Sequence, residues 1–547
     1  MLDDRVQGTR LIKTLLLLAA LASTQCFAAV PSQFIARQYT EALGRAPDPT
    51  GWQFSTNAAL ASGCSAPMLR DIALSVFGSA EYADKGYTPE ETMLTVYRAV
   101  LGREPDESGF LYWTHFLKAG HGAADAIRAL TDSREFADMV PAICRGNAYA
   151  SADAASRPID IGAGSWTQAR LEACLAAASV CSVPPRTVVY LTSTLVVPAG
   201  RTLETAGGIG RRMYARQARL VRDDAMPGML VLMQSGSTVR NIWVEGGRER
   251  YKARLRPQGS QQASVYPNIN YVGGQHGTIL GVRSDAPLSA THIATFPVPT
   301  PPIPTAPSAF AGSAFISDNL TTGYAHSHYN DGTPIPWADG ISNHLTNAII
   351  AGNDIVDPTD VGIVIFGHDG STQASVAYDN LIVHAGHSAY GSLGLDAIQC
   401  VYSASAACRF SGKGIFNNTV MAGRNQHADI MLFNGTGPWA PADCGAARDG
   451  RCGSGGRMSN TRTLAGASQA IQVQAGITVD GMLDAVTSGN GLNVTPMAQP
   501  ADRPNGVDVR LGCERGGALV LNALRLGRAS GNLQTGMDGG SAGCIGH

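Results

Sequence analysis

The chain has 547 residues, more than one hydrophobic core usually serves, so it divides into two or more domains or stacks a repeat. Its 63 Gly and 29 Pro against only 15% charged residues describe a chain rich in turns. A formal net charge of -2 and a pI near 6.6 remove the usual electrostatic basis for binding nucleic acid or an anionic membrane surface.

Arg5, Arg10 and Lys13 precede the apolar run Leu15 to Ala22, and small residues follow around Ala28 and Ala29. This is the three-part pattern of a cleavable secretory signal over residues 1–29. The run is too short to span a bilayer, and no later segment reads as a membrane span. The expected location is secreted or periplasmic, in a bacterium. With Cys26 removed, ten cysteines remain: Cys64, Cys144, Cys174, Cys181, Cys400, Cys408, Cys444, Cys452, Cys513 and Cys544. An even number in an exported chain points to disulfides, with 174/181, 400/408 and 444/452 as local staples and 64/144 and 513/544 as the remainder. Their spacing does not match a zinc knuckle, so no metal site is assigned.

Residues 30–146 carry a duplication. Tyr39-x-x-x-Leu43-Gly44-Arg45-x-Pro47-Asp48-x-x-Gly51-Trp52 recurs as Tyr97-x-x-x-Leu101-Gly102-Arg103-x-Pro105-Asp106-x-x-Gly109-Phe110, and Ser79-x-Glu81-Tyr82 recurs as Ser133-x-Glu135-Phe136. Apolar residues between these elements (Leu69, Ile72, Ala73, Val76) have helical spacing, so each copy is a small helical unit. Asp48 and Asp106 read as helix caps, with a calcium or carbohydrate contact as the second reading. The motif resembles a helical family of unknown function found in exported bacterial proteins, and it is similar to phycobilisome linker domains. That resemblance implies a surface or assembly role, such as attachment to a cell-surface polymer.

After a linker at 147–158, residues 159–547 change character. Ala169, Leu171 and Leu175 form a helical pattern, followed by short strands at Val188–Leu191, Thr194–Val197 and Thr202–Leu203. A helix that plugs one end before a run of strands is how a solenoid begins, because its first coil has no neighbour. The opening resembles the pectin-lyase-like superfamily. The expected fold is therefore an all-β right-handed parallel β-helix behind a small all-α N-terminal domain. Strand, Asn-bearing turn and strand recur around Asn241, Asn353, Asn380 and Asn417-Asn418, as in an Asn ladder stacked along a solenoid. A second register is read at Asp339-Gly340-Ile341, Val361-Gly362-Ile363, Asp396-Ala397-Ile398 and Asp429-Ile430-Met431. The inserts at Phe296 to Pro307 and Cys444 to Cys452 are expected to leave the coil as loops walling a groove.

Ionisable residues concentrate between Tyr324 and Tyr390. Carboxylates on adjacent coils can divide the work of glycosidic cleavage, one protonated as acid and one ionised as base or nucleophile. Asp339 and Asp360 are the leading pair, with His344, His368, Asp369 and Asp396 as further catalytic candidates. Trp337, Tyr390 and Trp439 could stack on sugar rings, and Asp429 is a reserve substrate contact. Each also has a structural reading, as turn closure for the acids and packing for the aromatics.

On this fold the resemblance implies hydrolases, lyases or epimerases of polysaccharides. Asp357-Pro358-Thr359-Asp360 is similar to the Asp-Pro-His-Asp motif of mannuronan epimerases, but Thr stands in place of His. The polygalacturonase set is absent, and Gly367-His368-Asp369-Gly370 is a partial echo of it. Lys and Arg are sparse between Leu320 and Gly370, which disfavours a lyase with a cationic base and favours hydrolysis. The expected function is cleavage of an extracellular or cell-envelope polysaccharide. A non-catalytic carbohydrate-binding or adhesive protein is the first alternative and a polysaccharide epimerase the second. No cofactor is assignable, although Ca2+ stays open.

Overall fold

The computed structural model describes residues 30–423 apart from segments of which the longest are 150–156, 252–266, 297–310, 324–337, 370–374 and 397–407, together with the backbone of strands beyond. The secretory-signal region and the pairs 400/408, 444/452 and 513/544 lie outside what it describes, except for the backbone of Cys408. Cys64–Cys144 and Cys174–Cys181 are disulfide-bonded, which fits an oxidising compartment. Among the described residues, no helix is long and apolar enough to cross a membrane.

The two sequence copies fold alike. Ser32–Arg37 runs on through π-helical Gln38–Leu43 to Gly44, and Pro89–Val96 runs on through Tyr97–Leu101 to Gly102; both glycines have φ of 67°, a left-handed stop. Asp48 caps Pro49–Ser62 by accepting the Gly51 amide at 2.9 Å, and Asp106 caps Glu107–Lys118 through Gly109 at 2.8 Å. Arg45 grips Glu81 with two bonds of 2.8 Å, and Arg103 grips Glu135 at 2.6 and 2.8 Å. Ser79 and Ser133 cap the helices Ala80–Ala83 and Arg134–Cys144. The shared residues therefore close turns and lock helices, and Cys64–Cys144 ties the first copy to the end of the second.

Thr167 caps the helix Gln168–Ala177, which buries Leu171 and Leu175 over the first coil and is pinned to the strand Val180–Val183 through Cys174–Cys181. From there the chain visits three parallel sheets in turn, so each strand generally pairs with the third one after it. Among the described residues the sheets hold eleven, ten and eleven strands, the arrangement of a right-handed parallel β-helix. Leu203, Val239, Ile279, Ile316, Ile350, Ala377 and Ile415 form one unbroken inward row of the first sheet. Rows like this bury the core because stacked strands repeat at about 4.8 Å.

The Asn ladder lies between the first and second sheets. Asn319, Asn353 and Asn380 each donate an amide proton to the next member's side-chain oxygen at 2.9 Å, ending on Asn418. Asn241 is not part of it. Its φ of 50° places it in the left-handed bend one residue earlier, the row of Asp318, Gly352, Asp379 and Asn417. Asn319 takes part instead, and its oxygen accepts the Val282 amide at 2.8 Å.

The helical domain covers the outer face of the second sheet. Leu320, Val356, Val383 and Met421 from that sheet join the core of the helices. Tyr149, in the segment expected to be linker, is buried there against Phe34, and its backbone meets Gln33 and Arg37. Charged residues fill the rest of the contact. Arg283 holds Glu41 at 2.6 and 2.8 Å, Arg98 reaches Glu41 at 2.9 Å and Asp285 at 2.8 Å, and Arg219 reaches Glu104 at 2.8 Å and pairs with Glu245. The guanidiniums of Arg98, Arg219 and Arg283 lie 4.0–4.6 Å from the Trp243 ring centroid, and its indole nitrogen donates to Asp285.

Candidate active site

The third sheet carries the leading candidate pair. Asp339 lies in the strand Ala338–Asn343, where Ile341 enters the core. Its side chain is buried and accepts the Ser342 hydroxyl at 2.6 Å. Its other oxygen accepts the amide of Val361, one coil on, at 2.9 Å. Gly340 and Gly362 let the chain press inward here: a Cβ on Gly340 would lie 2.6 Å from Ile355, and one on Gly362 would lie 3.0 Å from Ile382. The repeated Gly of this register is therefore a packing requirement of the coil.

Asp360 precedes the strand Val361–Phe366. Ile341 pairs with Ile363, so Asp360 stands one residue out of register with Asp339. The bend before it is tightly held: the amides of Thr359 and Asp360 both donate to the Ala338 carbonyl at 3.1 Å, and the Thr359 hydroxyl accepts the Ala338 amide at 3.1 Å. Burial lifts Asp339 to about 7, against the opposing pull of the Ser342 hydroxyl and the Val361 amide. Burial also pushes Asp360 well above the usual carboxylate range, and the charges of Asp339 and Asp396 add to it. Both groups hold a proton more tightly than a solvated aspartate, so either can donate one to a leaving oxygen.

Asp396 is buried, but it is not in the row expected for it. Gly391 pairs with Val361, whereas Asp396 pairs with Phe366 at the far end of the strand Ala389–Asp396. Variable loops separate the coils, so a similar triplet of letters need not mark a similar position. His344 is buried, stacked on Phe366 with ring centroids 4.0 Å apart and edge-on to Phe296 at 4.5 Å. His384 points into the core, with its ring nitrogen 2.9 Å from the Ser392 hydroxyl. His292 sits likewise 3.2 Å from Ser284, and burial lowers it to about 3.

His368–Asp369 forms a two-residue strand antiparallel to Cys408–Arg409, joining the loops that leave two successive strands of the third sheet. The side chains of His368, Asp369, Tyr390 and Asp429 lie outside the described residues, as do Trp337 and Trp439 altogether. Sequence reasoning missed Ser342 and Thr359 as partners of the pair. It also missed Asp357, a buried left-handed residue whose carboxyl accepts the amides of Ala385 at 2.6 Å, Gly386 at 2.9 Å and His387 at 3.2 Å. An Asp-Pro bend followed by a polar pair was the available clue to both Asp357 and Thr359. Among the described residues, no cluster of three or more His, Cys, Asp or Glu is arranged to hold a metal.

Residues 73–140, running from the closing helices of the first copy through most of the second, match the family described as a domain of unknown function (DUF4214). No curated protein matches the chain. Among solved structures, the chain is similar to an endo-xylogalacturonan hydrolase from Aspergillus tubingensis, at 10% identity over 66% of this chain and 92% of that one, with a TM-score of 0.31. It is also similar to the Agl-KA catalytic domain, at 13% identity over 67% and 66% of the two chains with a TM-score of 0.27. A third similarity is to the A-module of the mannuronan C-5 epimerase AlgE6 from Azotobacter vinelandii, at 11% identity over 65% and 93% with a TM-score of 0.25.

Proposed function

We propose that this exported protein cleaves a glycosidic bond in an extracellular or cell-envelope polysaccharide by hydrolysis, using Asp339 and Asp360 from adjacent coils at the third sheet. The observation that carries this reading is the pairing of two carboxyls from adjacent coils, both held towards the protonated form. One supplies the proton to the departing sugar oxygen, and the other, once ionised, activates water or attacks the anomeric carbon. The absence of Lys and Arg from 320–370 favours hydrolysis over elimination, which would need a base and a cation at the uronate. The duplicated helices, read from their motif as linker-like, serve here as a structural part of the same body.

A panel of acidic and neutral polysaccharides, assayed for new reducing ends and for the ultraviolet absorbance of an unsaturated uronate, tests this. Reducing ends without absorbance are expected, and absorbance would mean a lyase. Retention on an immobilised polymer without cleavage would leave a binding protein. Asp339→Asn and Asp360→Asn should each lower turnover by about a hundredfold or more with folding intact, and full activity in both would remove the assignment. Turnover should also fall as pH rises through about 7, where Asp339 gives up its proton.

A further inference from the structure

The strand that leads into Asp360 is gripped at both ends by the helical domain. At its start, Asp354 accepts the backbone amide of Ala46 at 3.1 Å, just beyond the first Leu-Gly-Arg turn. Val356 in the same strand is buried in the core of the helices. At its end, Gln33 donates its side-chain amide to the Asp357 carboxyl at 3.1 Å, while its oxygen accepts the Tyr149 amide at 2.9 Å. Gln33 also presses on the following coil, since a Cβ on Gly386 would lie 2.2 Å from its side-chain nitrogen. Asp357 in turn binds the amides of 385–387, so one carboxyl joins the helical domain to the bends of two successive coils. Only Pro358 and Thr359 separate it from Asp360, and Thr359 is tied to Ala338 beside Asp339.

From this chain of contacts we infer that the helical domain is a positioning element of the candidate site, with Gln33 setting the Asp357–Asp360 bend that presents the Asp360 carboxyl. The inference rests on the proposed function for its catalytic consequence, but its structural core does not. Pro358 fixes one backbone angle and Asp357 holds a left-handed one, so little freedom remains in the bend once Asp357 is clamped. Without the clamp, the bend loses a hydrogen-bond donor to the Asp357 carboxyl and the stop that Gln33 provides against Gly386. The duplicated helices would then matter to turnover as well as to folding.

Hydrogen exchange followed by mass spectrometry on the full chain tests this, with Gln33→Met as the variant. Gln38→Met is the control, because Gln38 is equally buried and, among the described residues, donates to the carbonyls of Phe34 and Ala99 within the helices. Exchange at Asp360 and Val361 should quicken by about tenfold or more in Gln33→Met and stay unchanged in Gln38→Met. Gln33→Glu, which sets a second carboxyl against Asp357, should quicken it further. Unchanged exchange in both Gln33 variants, or equal acceleration in the control, would overturn the inference. On a polymer that the wild type cuts, Gln33→Met should lower kcat with KM unchanged; a raised KM at constant kcat would contradict positioning. If no polymer is cut but exchange responds as stated, the clamp stands and the cleavage reading fails.

Discussion

On the outer face of the second sheet, Glu41, Glu104 and Glu245 lie buried among Arg98, Arg219, Arg250 and Arg283, and all three are held below the ordinary carboxylate range. On the third sheet, the groups acting on buried Asp339 are one hydroxyl and one amide, and it rises to about 7. Burial penalises the charged form in both places. What differs is the counter-charge. For Glu41, the guanidiniums of Arg283 and Arg98 outweigh burial and bring it down to about 2. The same solenoid thus uses buried acids as ionic fasteners on one face and as proton holders on another.

The fastened face should break hardest. Arg98→Met leaves Glu41, Glu104 and Asp285 buried without one of their cations and should cost about 3–5 kcal/mol in urea unfolding. Arg170→Met, on an exposed arginine lying over Trp166, should change stability by about 1 kcal/mol or less. A loss for Arg98→Met no larger than that of the control would mean the contact is solvated and the contrast false.

Next in size is the response to pH, where the two faces should move in opposite directions. Glu41 is depressed on folding, so its contribution is complete above its unfolded value near 4.5 and is lost as pH falls towards 2. Asp339 is raised on folding, so its contribution is complete below its unfolded value and is lost as pH rises through about 7. Asp339→Asn should therefore gain about 1–3 kcal/mol over the wild type at about pH 9 and nearly nothing at about pH 4. Thermal unfolding across this range checks both signs. A uniform gain at every pH would show that Asp339 is not a proton holder.

The solenoid was legible because its grammar is local. Gln168–Ala177 caps it as the spacing of Leu171 and Leu175 predicts, and the Asn ladder follows from an apolar strand, a bend and an Asn. Asn241 misled because the bend and ladder positions are adjacent and both admit Asn, whereas Asn319, in a Ser-Asp-Asn-Leu context like that of Asn380, was readable and overlooked. Asp339 and Asp360 could be found from their neighbouring strands, but Asp396 could not be placed, since loop lengths between coils decide its row. The fastened face was hidden for a different reason. Glu41 and Arg283 are 242 residues apart, and each looks like an ordinary surface charge until the helices are laid on the sheet. Only the outward alternation of Arg219, Trp243, Glu245, Arg283 and Asp285 along successive strands hinted at a covered surface.

The central contrast is tested most directly by infrared difference spectroscopy of the protonated carboxyl stretch, wild type minus Asp339→Asn, titrated from about pH 4 to about pH 9. A protonated carboxyl band, assigned to Asp339 by its loss in the variant, should persist at mild acidity and disappear around pH 7 if Asp339 is a proton holder. A band that vanishes near pH 4, as for a solvated aspartate, would contradict it.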